Sequence, residues 1–236
     1  MKVVVMLSIS PPDKQMPTTK EPAVHSFEKV HTNETQLYLM SKRFLDIAGS
    51  LAGLILLSPL FLIVGMLIKL EDRESPIFFK QKRAGKNGEI FYMYKFRSMV
   101  SNAEELKASL VKYNEATGPV FKIRLDPRVT KTGRFLRKTS IDELPQLFNV
   151  LKGEMSLVGP RPALPNEVAL YNNYEKQRLM ITPGLTCLWQ INGRSNISFQ
   201  EWVEMDLNYI RKRCLLLDIK LILKTIIVLF GSKGAY

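Results

Sequence analysis

The residues best placed to do chemistry are two adjacent carboxylates, Asp142 and Glu143, in the stretch Thr139-Ser-Ile-Asp-Glu-Leu-Pro145. Leu144, Leu147, Phe148 and Leu151 follow at helical spacing and Gly153 marks a stop. Proline fits only the first turn of a helix, so Pro145 predicts a helix that begins at or near Asp142. A helix start offers unpaired N–H groups and a positive dipole end, which stabilise a phosphoryl group and keep Asp142 ionised. An ionised carboxylate can attack phosphorus. The plainer alternative is structural, because Asp is a favoured N-cap and Ser140-x-x-Glu143 is a capping-box pattern.

Cations stand around this pair in sequence: Lys95 and Arg97 in Lys-Phe-Arg-Ser, then Arg134, Arg137 and Lys138, then Arg161 between Pro160 and Pro162. Flanking prolines stiffen the backbone that presents Arg161, which suits bidentate phosphate binding, although arginines in Pro-rich turns are also common on plain surfaces. Histidine chemistry is excluded from the main body, since the two histidines, His25 and His31, both lie in a polar N-terminal stretch. The two cysteines, Cys187 and Cys214, have no ligand or redox spacing, and no P-loop or G-x-G-x-x-G occurs. The excess of 34 Lys and Arg over 22 Asp and Glu suits a phosphate-bearing partner: nucleic acid, anionic lipid or a phosphorylated substrate.

The elements that must position these groups divide the 236 residues into three. Residues 1–40 are polar and proline-bearing and read as a flexible tail. Residues 41–70 contain Ile47 to Ile68, 22 residues without a charge, enough to cover a bilayer core of ~30 Å. Ser58-Pro59 interrupts this run: Pro59 cannot donate to the Ile55 carbonyl, and the Ser58 hydroxyl can take its place. In isolation the segment favours a kinked crossing. Positive charge on both flanks (Lys42 and Arg43 before; Lys69, Arg73, Lys80, Lys82 and Arg83 after) argues that both ends stay on one face, as in a re-entrant helix.

Residues 71–236 read as one catalytic unit. Ile77–Gln81 and Ile90–Phe96 predict a hairpin turning at Gly85, Asn87 and Gly88, and Ala103–Tyr113 a helix. Leu215–Phe230 is apolar but carries Asp218, Lys220 and Lys224, which fits an interfacial helix or a core helix almost equally.

Several ordered motifs resemble the bacterial sugar transferases, also called monotopic phosphoglycosyl transferases, from about Lys42 to the C-terminus. They are Ser58-Pro59, Tyr94-Lys-Phe-Arg-Ser-Met99, Asp126-Pro127-Arg128-Val-Thr, Thr139-Ser-Ile-Asp-Glu-Leu-Pro145, Met155-Ser-Leu-Val-Gly-Pro-Arg-Pro162 and Pro183-Gly184-Leu-Thr. The resemblance implies an α/β, membrane-associated protein. It would have a re-entrant N-terminal membrane helix broken at Ser58-Pro59, a small, mostly helical cytoplasmic domain with a short β-hairpin, and interfacial C-terminal helices. It implies Asp142 as nucleophile, Glu143 as a ligand of Mg²⁺, and phosphate-binding roles for Lys95, Arg97, Arg137 and Arg161. Larger relatives carry an N-terminal bundle of membrane helices that the short polar start of this chain lacks. One departure is Cys187 in Gly-Leu-Thr-Cys-Leu-Trp-Gln, where the family pattern leads us to expect glycine.

The implied reaction moves a sugar-1-phosphate from a UDP-sugar to undecaprenyl phosphate, at the inner leaflet of the bacterial cytoplasmic membrane with the catalytic domain facing the cytoplasm. Homodimerisation is left open. A lipid phosphate is already anionic and needs no strong base, so the useful work for a carboxylate is covalent catalysis in two steps. Leu188-Trp189-Gln190 and Asn192-Gly193-Arg194 resemble the hexose-1-phosphate subgroup without separating glucose from galactose or an N-acetyl sugar. The competing expectation is a non-catalytic membrane scaffold of polysaccharide assembly, in which the carboxylates merely cap a helix. A nucleic-acid partner is not expected.

Overall fold

In a computed structural model, described over residues 30–32, 35–115, 118–192 and 197–231, the first helix starts at Gln36. Residues 36–40 are therefore helical rather than the end of a tail, because Tyr38 is buried and donates to Asp218 at 3.0 Å. Helix α1 (Gln36–Leu56) and helix α2 (Ser58–Glu71) meet at Leu57 with a bend of 59°. The break follows the local chemistry: Pro59 removes one donor, and Ser58 Oγ donates to the Ile55 carbonyl at 2.8 Å. Among the described residues no single helix is long and apolar enough to cross a membrane, and only the bent pair qualifies by length and composition.

The polar half of α1 is clamped to the rest of the chain. Lys42 pairs with Asp218 at 3.0 Å and donates to the Val158 carbonyl at 2.9 Å. Arg43 reaches the Val150 and Leu151 carbonyls, each at 2.7 Å, and Asp46 accepts from Ser156 Oγ and Leu157 N–H. The charges at 42 and 43, which in the sequence look like a topology signal, are thus structural anchors. Asp218 is fully buried with Tyr38, Lys42 and Tyr209 all bonded to it. Removing one partner of a buried pair costs about 3–5 kcal/mol, so Asp218→Ala should lower the urea midpoint sharply, and an unchanged midpoint would show that the network contributes nothing.

After α2 come strands β1 (Phe78–Ala84) and β2 (Ile90–Phe96), antiparallel from Phe78↔Phe96 to Ala84↔Ile90, with positive φ at Asn87 and Gly88 in the turn. Strand alternation puts Phe78, Lys80, Tyr94 and Phe96 on one face and Arg83, Met93 and Lys95 on the other. Helix α3 (Ala103–Leu110), continued by a 3₁₀ turn at Val111–Tyr113, fills the segment expected to be helical. Then follow α4 (Lys131–Thr139), α5 (Gln146–Lys152), β3 (Ser156–Val158), α6 (Pro165–Val168), α7 (Asn173–Lys176), β4 (Gly184–Thr186), α8 (Leu188–Asn192), α9 (Phe199–Lys212) and α10 (Leu215–Gly231).

The architecture is mostly helical with two small sheets rather than an α/β layer fold. The second sheet, β3 beside β4 in parallel, joins two motif stretches far apart in sequence, and three-residue strands carry no periodic signal. The main core gathers Val158, Leu207, Tyr209, Ile210 and Leu221, and a second cluster of Val64, Ile68, Phe96 and Leu136 seats α2 on the hairpin and α4. Helix α10 packs one face into the body, with Asp218 and Leu221 buried, while Leu216, Leu223 and Ile227 are exposed.

Candidate active site

Helix α4 ends where Ser140 takes a left-handed conformation, φ 57°. The chain then enters a 3₁₀ turn, Ile141–Glu143, and passes through helical Leu144 and Pro145 into α5. A helical backbone thus begins next to Asp142, as Pro145 requires. The capping box does not form: Ser140 makes no side-chain cap bond, and Glu143 N–H instead bonds the Ser140 carbonyl at 3.2 Å. Ser140 and Glu143 thus do not exchange the reciprocal bonds of a capping box. Asn149 locks α5 to the hairpin, accepting from Tyr94 N–H at 3.0 Å and donating to the Tyr92 carbonyl and Glu154.

Asp142 is 7% exposed, and its burial pushes the carboxyl up to about 6; Lys95 opposes this, Glu143 adds to it, and Arg137 opposes it again. Glu143 lies lower than an ordinary carboxyl, because Lys95, Arg161 and Arg83 together outweigh its loss of water. Lys95 Nζ bonds Glu143 Oε1 at 2.8 Å. The two carboxylates differ by environment: Asp142 is the more basic, Glu143 the firmly ionised one.

Arg137 turns inward and donates from Nε to Ser98 Oγ at 3.0 Å. Gly133 makes this possible, since a Cβ there would overlap the Ser98 backbone and push α4 off the end of the hairpin. Arg134 and Lys138, one helical turn apart, face solvent. Arg97 does not join the carboxylates: its Nε donates to the Pro76 carbonyl at 2.9 Å and its guanidinium lies 5.9 Å over Phe79. It holds the link between α2 and the hairpin. Arg128, in the Asp-Pro-Arg motif, is likewise occupied, paired with Asp126 at 2.6 Å.

Arg161 owes its position to the β3–β4 ladder as well as its flanking prolines. Gly184 N–H bonds the Pro160 carbonyl at 2.8 Å and Gly159 N–H bonds the Thr186 carbonyl at 2.9 Å; a Cβ on Gly184 would overlap the Gly159 backbone. Its guanidinium rests 5.9 Å over Trp189 and 5.8 Å over Trp202, with no hydrogen bond or ion pair among the described residues. Arg161, Lys95, Glu143 and Gln190 line one cleft together with Arg83. Arg83 is the site residue that motif reading missed. It is 5% exposed, donates to the Pro162 carbonyl at 3.0 Å and to Gln81, and its Nε is buried without a partner. Strand parity with Lys95 across the hairpin is the signal that would have found it.

Cys187 is buried and its thiol is free, and its φ is not positive: among described non-glycine residues only Asn87 and Ser140 are. The backbone there does not demand glycine. Of the Asn192-Gly193-Arg194 stretch, residues 193 and 194 lie outside the described residues.

The buried turn with its basic cleft is built from the same stretches that carry the family motifs. Residues 37–232 match the family model described as bacterial sugar transferase. The chain belongs to the bacterial sugar transferase family. Similar proteins include the galactosyl transferase CpsE of Streptococcus agalactiae, 48% identical over 84% of this chain and 44% of that protein. The exopolysaccharide production protein ExoY of Sinorhizobium fredii is 43% identical over 84% and 88% of the two chains. The undecaprenyl-phosphate galactose phosphotransferase of Salmonella typhimurium is 42% identical over 83% and 41%. This sugar transferase chain spans less than half of the first and third of these relatives and most of the second.

Proposed function

We propose that this sugar transferase moves a hexose-1-phosphate from a UDP-sugar to undecaprenyl phosphate, giving a polyprenyl diphosphate sugar and UMP, as a membrane step of exopolysaccharide or capsule assembly. The observation that carries this reading is the Asp142–Glu143 turn: a buried carboxylate with raised basicity, next in sequence to Glu143, which is held ionised by Lys95 and lines a cleft with Arg83 and Arg161. The names of the relatives support the hexose and the undecaprenyl phosphate acceptor.

In the first step Asp142 Oδ attacks the phosphorus that bears the sugar, the bond to the UMP oxygen breaks, and UMP leaves with its electron pair. Lys95, Arg83 and Arg161 offset the charge that builds on the phosphates. In the second step an oxygen of undecaprenyl phosphate attacks the same phosphorus and releases the Asp142 carboxylate. The sugar C1–O bond never breaks, so the anomeric configuration is retained.

Among the described residues no group of three or more His, Cys, Asp and Glu could cage a metal. Mg²⁺ is commonly held by one or two carboxylates together with substrate phosphates, and the adjacent carboxylates of this turn fit that role, with Glu143 as the protein ligand. When bound, Mg²⁺ supplies neutralisation of diphosphate charge. Glu143→Gln should raise the Mg²⁺ concentration for half-maximal activity by about tenfold or more, read from a Mg²⁺ titration, since a charged ligand is replaced by a neutral one. An unchanged titration would remove Glu143 from the metal site.

A re-entrant course for α1 and α2 at the inner leaflet is supported by where their outer ends attach. Tyr38 and Lys42 bond to Asp218, and Glu71 accepts from the Lys131 and Thr132 N–H groups at 2.8 and 3.0 Å. Both ends hold the same folded body, whereas a crossing helix would set them ~30 Å apart on opposite faces. Leu56, Leu62 and Met66 around the bend are exposed and apolar. UMP release from a panel of UDP-sugars, with undecaprenyl phosphate and Mg²⁺ in detergent, tests the whole reading. Silence across the panel would overturn it and favour the scaffold.

A further inference from the structure

The hairpin separates two concave sites of opposite character. The polar cleft with Lys95 and Arg83 lies on one face of β2. On the face that carries Tyr94 is an apolar cavity of about 210 Å³ lined by Phe78, Tyr94, Pro145, Phe148 and Lys152. It is roomier than the ~150 Å³ apolar cavities that take up benzene. Pro145 forms part of its wall three residues after Asp142, so both sites border the same turn.

We propose that this apolar cavity holds the first isoprene units of the lipid acceptor, with the acceptor phosphate at its rim; the assignment rests on the transfer reaction proposed above. Two observations favour an isoprenoid phosphate over any other occupant. The walls are aromatic and aliphatic, while the rim carries two lysines: Lys152 Nζ, half-exposed, lies 3.3 Å from Tyr94 Oη and 3.7 Å from the Glu154 carboxylate, and Lys80 lies 5.6 Å over the same ring. That pairing of grease and positive charge matches an anionic amphiphile. The cavity also adjoins the bent helix pair. Phe61 of α2 meets Phe148 at 6.2 Å and Phe96 at 5.0 Å, and Leu62, Ile63 and Met66 beside it are exposed. A chain leaving the cavity would run along this apolar surface. In the second step the acceptor phosphate has to take the position that UMP vacates, so the cavity holds the lipid chain while its phosphate passes the Glu143–Pro145 turn that both sites border.

The test uses the full chain in detergent with a diazirine-bearing farnesyl phosphate. Photolabel is expected on the peptides carrying Phe78 or Pro145 to Lys152, displaced by undecaprenyl phosphate and not by an equal concentration of phosphatidylglycerol. In turnover assays Phe148→Ala should raise the acceptor KM about tenfold with the donor KM unmoved, and Phe148→Leu should restore most of the loss, as expected when one large apolar contact is removed and partly rebuilt. Label elsewhere, equal displacement by phosphatidylglycerol, or a donor KM that rises in step would each overturn the assignment. Labelling needs no turnover. Label at this cavity in a protein that releases no UMP would uphold the lipid site and sink the transfer reaction instead.

Discussion

Asp142→Asn is expected to abolish sugar-phosphate transfer while leaving a folded protein of equal or greater stability. Loss of a covalent nucleophile costs about 10⁴-fold or more in turnover, because the remaining groups position substrate without giving it a bond to form. The stability half follows from the carboxyl's own pKa. Burial raises it to about 6 from an ordinary value near 3.8. Between those values the folded chain binds a proton that the unfolded chain does not, so stability rises as pH falls through this window. Above pH 6 the folded chain carries a buried charge, costing about 3 kcal/mol at most at ~1.36 kcal/mol per pKa unit. Asparagine removes that charge. At pH 7.5 the variant should therefore match or exceed the parent in Tm, which separates lost chemistry from lost structure. The parent incubated with donor alone should gain the mass of a phosphosugar and the variant should not. For the parent, kcat/KM should fall below about pH 6 and be roughly tenfold down by pH 5, as the attacking carboxylate becomes protonated. Robust turnover by Asp142→Asn would end the nucleophile assignment.

Legibility in the sequence tracked how local each determinant is. Pro59 with Ser58 and Pro145 with Asp142 impose their effects within one helical turn, and the bend at Leu57 and the helical start at Ile141 follow from them. The hairpin was equally local, set by aromatic strands and the Asn87-Gly88 turn. What the sequence did not disclose depends on contacts across long separations. Tyr38 is pulled into a helix by Asp218, 180 residues away. Arg97 and Lys95 are two residues apart in one motif, yet the strand ends between them and sends Arg97 to the Pro76 carbonyl. Arg83 looked like part of a basic flank until the hairpin register brought it onto the Lys95 face. The parallel β3–β4 pair left its mark only as the Gly159-Pro-Arg-Pro and Pro183-Gly184 motifs, whose glycines are needed for close backbone approach.

Lys95→Met should be the most damaging change outside the carboxylates, and through them. Lys95 is the leading charge that lowers both Asp142 and Glu143, and its 2.8 Å bond is the one ion pair that Glu143 makes among the described residues. Without it, burial and the neighbouring Glu143 charge raise Asp142 further, with Arg137 left to oppose them, and more of the nucleophile is protonated at neutral pH. Turnover at pH 7 should fall by about 10²–10³-fold, from loss of a preorganised cation and of ionised nucleophile together. The acid limb of kcat/KM should move above pH 6, so part of the deficit is recovered at pH 8 to 8.5. Lys95→Arg keeps the charge and should return the limb toward its original position even where activity stays low. A lysine that only gripped substrate phosphate would behave otherwise: its loss would raise the donor KM and leave the free-enzyme limb where it was. The pH profile of Lys95→Met, measured at subsaturating donor, therefore distinguishes a residue that sets the charge of Asp142 from one that merely meets the donor.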